Sequence, residues 1–113
     1  SFFNSWGIST AASIVEASKT PLMTILASGG IQNAMDVAKC IALGADAVGI
    51  AGYFLRVYKD QGLDCLIEEI NLVHNDLKMI MTALGVKKCS ELQKVKKVIS
   101  GDTYHWLAQR KLI

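Results

Sequence analysis

The sequence predicts an α/β fold in which short parallel strands alternate with helices. Two continuous apolar runs, at residues 22–27 and 47–51, have the composition of parallel strands that are buried on both faces. Between these runs, apolar residues recur at helical spacing over residues 34–42. Glycines follow both runs, with Gly29-Gly30 after the first and Gly52 after the second. This order of strand, helix and strand predicts one βα crossover unit.

The helices of the first half are predicted from capping residues and apolar spacing. Ser9 or Thr10 can cap a short helix over residues 11–17. Asn33 can cap the crossover helix, which we expect to stop at Gly44 because glycine suits the left-handed position after a helix end.

The second half of the chain is predicted to be helical. Residues 53–59 form a short helical turn, and residues 63–84 carry apolar side chains three and four positions apart. Residues 90–93, Ser-Glu-Leu-Gln, have the spacing of a capping box and predict another short helix. A last helix is expected to start at Asp102 or Thr103.

Composition indicates a globular protein, with 51% hydrophobic and 19% charged residues among 113. No apolar stretch of the sequence is long enough to cross a membrane as a helix. The net charge is +2, and the lysines near the C-terminal end lack interleaved aromatic residues, so we interpret them as a solvated face rather than a nucleic-acid patch. They are Lys87, Lys88, Lys94, Lys96 and Lys97. Neither a membrane nor a nucleic acid is therefore expected as a partner.

The cysteines and histidines carry no recognisable chemistry. Cys40, Cys65 and Cys89 are odd in number and far apart, so they fit neither a disulfide framework nor a zinc site. His74 and His105 have no carboxylate or cysteine spaced to orient them, and we interpret them as surface or packing residues. We predict no metal-binding residue in this chain and a reducing, cytoplasmic setting.

Two other residues have local explanations. Asp36 falls in the first turn of the crossover helix, where its charge suits the helix dipole better than it suggests catalysis. Trp6 borders the mouth of an active site or packs within a loop, and both interpretations stay open.

The predicted sheet is incomplete, because two parallel strands need further strands beside them and helices on both faces. A (β/α)₈ barrel takes about 250 residues, and two βα units with terminal helices correspond to its last quarter. The chain also begins at Ser1 rather than Met. We therefore predict that residues 1–113 are the C-terminal segment of one TIM-barrel domain, formed by the last two βα units plus C-terminal helices, with no separate second domain.

The two glycine turns predict a phosphate site. Residues 28–33 and 51–53 each follow a strand and lead into a helix, so their backbone N–H groups lie at the positive ends of the helix dipoles. In barrels, the loops after the seventh and eighth strands, with a short extra helix, often bind phosphate. The alternative is that the glycines only form tight turns. Since Gln32 and Tyr53 are neutral, the phosphate would be held mainly by backbone amides.

Several motifs resemble the C-terminal portion of type 2 (FMN-dependent) isopentenyl-diphosphate isomerases. They are WGIST at residues 6–10, ASGGIQN at 27–33 with DVAK at 36–39, ALGADAVG at 42–49, LGVK at 84–87, EL at 91–92 and the segment 101–110. The resemblance covers nearly the whole chain. The glycine and ALGAD motifs are shared by many FMN barrels, whereas the start and the tail narrow the choice to this family.

The resemblance implies an interconversion of isopentenyl and dimethylallyl diphosphate by a 1,3-allylic proton shift, with reduced FMN as the acid–base group. It further implies Mg²⁺ on the diphosphate, NADPH and a homo-oligomer. The positions that correspond to the family's FMN-phosphate contacts are Gly29, Gly30, Ile31, Gln32, Ala51 and Gly52, with Ile31 contributing backbone only. The family often has Arg at the position of Gln32. Catalytic, metal and substrate residues would belong to an N-terminal part outside this chain, so the segment alone is expected to be inactive.

Two alternatives stay open. One is another FMN-dependent TIM-barrel oxidoreductase of the 2-hydroxy-acid oxidase type, which usually has Arg after the last glycine, where this chain has Tyr53. The other is a non-catalytic phosphate-binding or assembly fragment that self-associates to cover its exposed strand edges.

Overall fold

The structure is a computed structural model that describes residues 7–113. Its helices are α1 (Thr10–Ser18), α2 (Ala34–Leu43), α3 (Gly52–Gln61), α4 (Leu63–Ala83), a 3₁₀ helix (Cys89–Lys94) and α5 (Gly101–Gln109), and its strands are β1 (Leu26–Ala27) and β2 (Ala47–Val48). The predicted α/β order of strand, crossover helix and strand, followed by helices, is confirmed. Within residues 7–113, no helix is both long and apolar enough to span a membrane.

The two strands pair in parallel, with Leu26 opposite Ala47 and Ala27 opposite Val48. Backbone hydrogen bonds extend the pairing at both ends, from the amide of Asp46 to the carbonyl of Ile25 (2.8 Å) and from the amide of Gly49 to the carbonyl of Ala27 (2.8 Å). The Asp46 carboxylate also accepts the amide hydrogen of Ile25 at 2.8 Å. Because the strands are parallel and in register, the turns that follow them leave from the same edge.

The strands are shorter and more exposed than the sequence pattern predicts. Each strand has two residues, and the side chain of Leu26 is 76% exposed while that of Ala27 is 5% exposed. Leu22, at the start of the predicted first strand, has a positive φ of 62° and is fully exposed. The expectation of strands buried on both faces is therefore wrong for this chain. A two-stranded sheet offers each strand one partner, and the described helices cover one face of it.

Helix α2 lies at the centre of the packing and contacts α1, α4, the 3₁₀ helix and β2. The predicted boundaries of this helix are confirmed: Asn33 caps its start by accepting the amide hydrogen of Asp36 at 2.8 Å, and Gly44 ends it with φ 128°. Its buried residues are Ala34, Val37, Ala38, Cys40 and Ile41. Together with Ile14, Ala27, Val73 and Leu92 they belong to the main hydrophobic core.

A second, smaller core joins α1 to α5. It contains Ala12, Val15 and Leu107, and Leu107 is completely buried. The Glu16 carboxylate accepts hydrogen bonds from Arg110 (2.7 Å) and from the indole of Trp106 (3.4 Å) on the outside of this contact. Exposed ion pairs stabilise by about 0–1 kcal/mol, whereas burial of a leucine contributes about 1.5–3 kcal/mol. The apolar contact is therefore the main attachment of α5.

Some predicted helix boundaries are confirmed and others are wrong. The Ser9 hydroxyl accepts the amide hydrogen of Ala12 at 3.2 Å, as expected for the cap of α1. The capping box predicted at residues 90–93 does not form, since the segment is a 3₁₀ helix whose N-cap is Lys88. Leu92 of this segment is 1% exposed, and the segment packs tightly against α2. Burial of Leu92 thus sets the local conformation in place of the cap.

We expect Gly44→Ala to destabilise the fold strongly. A Cβ at Gly44 would lie 2.8 Å from the Cβ of Ser18, and φ at this position is positive. The two effects together should lower the free energy of unfolding by about 3 kcal/mol in urea denaturation followed by circular dichroism. Gly85→Ala is the matched control, because Gly85 also follows a helix at positive φ, with nothing within 4 Å of its added Cβ. A loss of about 1 kcal/mol is expected there. Equal losses in both variants would contradict the packing argument.

Candidate functional site

The two glycine turns lie side by side along the edge of the sheet and form an open cleft of about 350 Å³. Its lining residues are Ser28, Gly29, Gly30, Ile31, Gln32, Gly49, Ala51, Gly52, Tyr53 and Arg56. The structure therefore brings all six sequence-predicted site residues together, although they come from two segments about twenty positions apart.

The first turn depends on two glycines and is hydrogen-bonded to α1. Gly29 and Gly30 have φ values of 100° and 72°, which side-chain-bearing residues rarely adopt. The Thr10 hydroxyl donates to the carbonyl of Gly29 at 2.9 Å, and a Cβ on Gly29 would approach that hydroxyl to 3.1 Å. The side chain of Ile31 is buried in the main core, which leaves its backbone as the part available to the cleft.

The start of α2 uses part of its hydrogen-bonding capacity within the chain. The Asp36 carboxylate accepts the backbone amide hydrogen of Gln32 at 3.1 Å, while Asn33 accepts that of Asp36. This pair of hydrogen bonds closes the start of α2, with Asn33 as the N-cap and the Asp36 carboxylate bound to the residue before it. It gives Asp36 the structural role that the sequence indicates. It also commits the Gln32 amide, so that Gln32 can offer a ligand its side-chain amide instead.

The start of α3 is left open in the described part of the chain. The first helical hydrogen bond runs from the amide of Leu55 to the carbonyl of Ala51 at 2.9 Å. Ala51 occupies the N-cap and has no side-chain oxygen with which to cap the helix. The amides of Gly52, Tyr53 and Phe54 therefore have no acceptor within residues 7–113. These amides and the helix dipole make this end of α3 the more favourable place for an anion.

A cation that the sequence analysis missed also lines the cleft. Arg56 lies one turn after Gly52, and its Nη1 atom is 3.7 Å from the position that a Cβ on Gly52 would occupy. The turns themselves supply no cation, because Gln32 and Tyr53 are neutral. The signal that identifies Arg56 is its spacing of four residues from Gly52, which places both on one face of α3.

Tyr53 is tied to α4 rather than directed to a ligand. Its hydroxyl donates to the carboxylate of Glu69, and this hydrogen bond raises the pKa of the Tyr53 phenol above its ordinary value of 10.0. Tyr53 is therefore neutral near pH 7. The bond fastens the first turn of α3 to the long helix beside it.

The remaining candidates lie away from the cleft or outside the described residues. His74 and His105 are exposed, in agreement with a surface role. Trp6 lies outside the described residues. Burial and the neighbouring Asp36 raise the pKa of the Cys40 thiol, and all three cysteines are free. Within residues 7–113, no three side chains of His, Cys, Asp or Glu are grouped to hold a metal ion.

Comparison with known proteins identifies a family and several relatives of this chain. The sequence pattern of the FMN-dependent dehydrogenase family matches residues 6–98. The isopentenyl-diphosphate delta-isomerase of Bacillus cytotoxicus is 61% identical over 111 residues, which are 97% of this chain and 32% of that protein. Proteins of the same name from Geobacillus sp. (strain WCH70) and Bacillus licheniformis are 53% and 54% identical over 110 residues, each covering 96% of this chain and 32% of the relative.

These comparisons confirm the resemblance that the sequence motifs indicate. The chain spans about a third of the length of the relatives it matches. The family pattern covers most of the chain, at residues 6–98, and includes both glycine turns of the cleft. The chain therefore belongs to the FMN-dependent dehydrogenase family.

Proposed function

We propose that this chain is the FMN-phosphate-binding segment of an isopentenyl-diphosphate delta-isomerase, which interconverts isopentenyl and dimethylallyl diphosphate in isoprenoid biosynthesis. The observation that carries the proposal is the cleft between the two turns, where the open start of α3 meets the glycines after β1. The family supports FMN as the ligand, and the names of the relatives support the isomerase reaction.

The residues of the cleft fit a phosphate group. Three amides at the start of α3 lack acceptors within residues 7–113, and the glycines allow a ligand to approach the backbone closely. When bound, FMN supplies the acid–base group for the 1,3-allylic proton shift. The residues of this chain bind and orient the cofactor through its phosphate. The residues that contact the isoalloxazine ring and the substrate would lie in a preceding part of the protein.

We further propose that the sheet is completed by other strands of a (β/α)₈ barrel. Leu26 and Ala47, which face each other across the strand pair, are both exposed. Six more strands would cover the free edges and the open face, which agrees with a chain that spans about a third of its relatives. Under this proposal the segment alone is inactive. The assembled protein would form a homo-oligomer in the cytoplasm.

Mg²⁺ and NADPH are part of the same proposal, but we assign their binding to no residue of this chain. The described part of the chain does not fit a Mg²⁺ site, since it groups no three carboxylate, histidine or cysteine ligands. We therefore assign no step of the reaction to a metal held by this chain.

An FMN-dependent oxidoreductase of the 2-hydroxy-acid oxidase type is the second candidate function. The description of the family favours it, and the names of the relatives do not.

The proposal predicts that Gly52→Val weakens binding of FMN. The added side chain would occupy the floor of the cleft, while φ at Gly52 is not in the positive range. In the protein at its natural full length, FMN affinity measured by fluorescence titration should fall about 10-fold or more, as expected for the loss of one or more charge-assisted hydrogen bonds. Conversion of isopentenyl diphosphate at subsaturating FMN should fall in parallel.

Gln61→Val is the control for this substitution, because Gln61 is exposed at the other end of α3 and does not line the cleft. It should leave both FMN affinity and conversion unchanged. Unaltered FMN affinity in the Gly52 variant would place the phosphate elsewhere and contradict the proposal. Normal FMN binding without conversion of isopentenyl diphosphate in the unmodified protein would instead favour the oxidoreductase.

Tyr53→Phe should lower the free energy of unfolding. It should change FMN affinity by less than about 2-fold, which is a smaller change than the loss of one hydrogen bond to the ligand would cause. The Tyr53 hydroxyl donates to Glu69, so its removal unfastens α3 from α4 without removing a phosphate contact. Because folding raises the Tyr53 pKa above 10.0, the stabilisation is present below about pH 10 and is lost as the pH rises through the folded-state pKa.

The midpoint of urea unfolding, measured at neutral and alkaline pH, tests this expectation. Tyr58→Phe is the matched control on the same helix, because Tyr58 is 51% exposed and its hydroxyl has no hydrogen bond to another described residue. A large loss of FMN affinity in Tyr53→Phe would show that the hydroxyl contacts the phosphate after all.

A further inference from the structure

The side chain of Arg56 folds back over the start of its own helix. Its Nη1 atom lies 3.7 Å from the point that a Cβ would occupy on Gly52, the first residue of α3. Arginine is favourable at the C-terminal end of a helix, where the dipole is negative, and unfavourable at the N-terminal end. A guanidinium beside the uncapped amides of Gly52, Tyr53 and Phe54 therefore adds its positive charge to the positive end of the helix dipole.

Within residues 7–113, Arg56 forms no ion pair with a carboxylate, and the one ion pair there joins Glu16 to Arg110. The two carboxylates that are hydrogen-bonded to residues lining the cleft are engaged otherwise: Glu69 accepts the hydroxyl hydrogen of Tyr53, and Asp36 accepts the amide hydrogen of Gln32. Among the described residues, the cleft thus has a concentration of hydrogen-bond donors and positive charge with no acidic partner.

An anion in the cleft would remove the conflict. A phosphate group can accept hydrogen bonds from the helix amides and from two N–H groups of a guanidinium at the same time. We propose that Arg56 is a phosphate-binding residue of this cleft and that it makes the site selective for the phosphorylated form of the flavin. The inference rests on the proposed function and adds a residue that neither glycine turn contains. Arg56 supplies the charge that Gln32 lacks.

The test compares binding of FMN and of riboflavin, which differ only by the phosphate. In the protein at its natural full length, fluorescence titration gives both dissociation constants for the unmodified protein and for Arg56→Gln and Arg56→Lys. Arg56→Gln should weaken FMN binding about 10-fold to 100-fold, the value of a hydrogen bond to a charged group, and change riboflavin binding by less than about 2-fold. The FMN affinity of Arg56→Lys should lie between those of the unmodified protein and Arg56→Gln, because lysine keeps the charge and loses the paired N–H groups.

Lys59→Gln is the matched control, since Lys59 is an exposed cation on α3 that does not line the cleft. It should leave unchanged the ratio of the riboflavin dissociation constant to the FMN dissociation constant. If Arg56→Gln keeps this ratio at the value of the unmodified protein, Arg56 does not contact the phosphate. The same conclusion follows if Lys59→Gln lowers the ratio as much as Arg56→Gln does. If Arg56→Gln does not fold, an unchanged ratio in Arg56→Lys, with the same salt dependence of FMN binding as the unmodified protein, overturns the inference.

Failure of the proposed function gives a different result. An unmodified protein that binds riboflavin as tightly as FMN has no phosphate site in this cleft, whatever the behaviour of Arg56. A preference for FMN in the unmodified protein that survives in both Arg56 variants preserves the proposed function and removes Arg56 from it.

Discussion

Burial of α2 is the constraint on which the other elements depend. This helix presents Val37, Ala38 and Ile41 to its neighbours and contacts α1, α4, the 3₁₀ helix and β2. Protein cores are close-packed, so an element that is surrounded on several sides fixes the positions of all its neighbours. Gly44 shows how close this packing is, because its Cα faces Ser18 with no room for a methyl group between them.

Both turns of the cleft are attached to that helix, the first directly and the second through two intermediates. The hydrogen bonds of Asn33 and Asp36 join the first turn to the start of α2. The second turn begins α3, which is fastened to α4 by the bond between Tyr53 and Glu69, and α4 packs against α2. The parallel strands then set the separation of the two turns. A ligand therefore meets donors whose positions are fixed before it binds, which lowers the entropy cost of binding.

The sequence predicted those parts of the structure that depend on local chemistry. Ser9, Asn33 and Gly44 mark helix ends because their conformational and capping properties act within a few residues. The meeting of the two glycine turns was also predictable, since parallel strands end at one edge. The length of the strands was not, because the extent of a strand depends on its pairing partners, and within residues 7–113 each strand has one. The 3₁₀ helix depends on tertiary packing, which side-chain periodicity does not encode, whereas Arg56 could have been identified from its spacing of four residues from Gly52.

Under the proposed function, the contrast between the two helix starts explains how the cleft would hold a doubly charged phosphate group with Arg56 as its one cationic lining residue within residues 7–113. At α2, Asn33 caps the helix and the Asp36 carboxylate accepts the amide hydrogen of Gln32, so a negative charge of the chain already lies at that end and makes it less attractive to an anion. At α3, the alanine at position 51 cannot cap, and three amides are left for a ligand. An uncapped helix end destabilises the free protein, and under the proposed function a bound phosphate would offset that cost. The position that weakens the isolated helix would therefore be the one that gives the site its affinity. A serine at position 51 would stabilise the helix by capping it, and would compete with the ligand for the same amides.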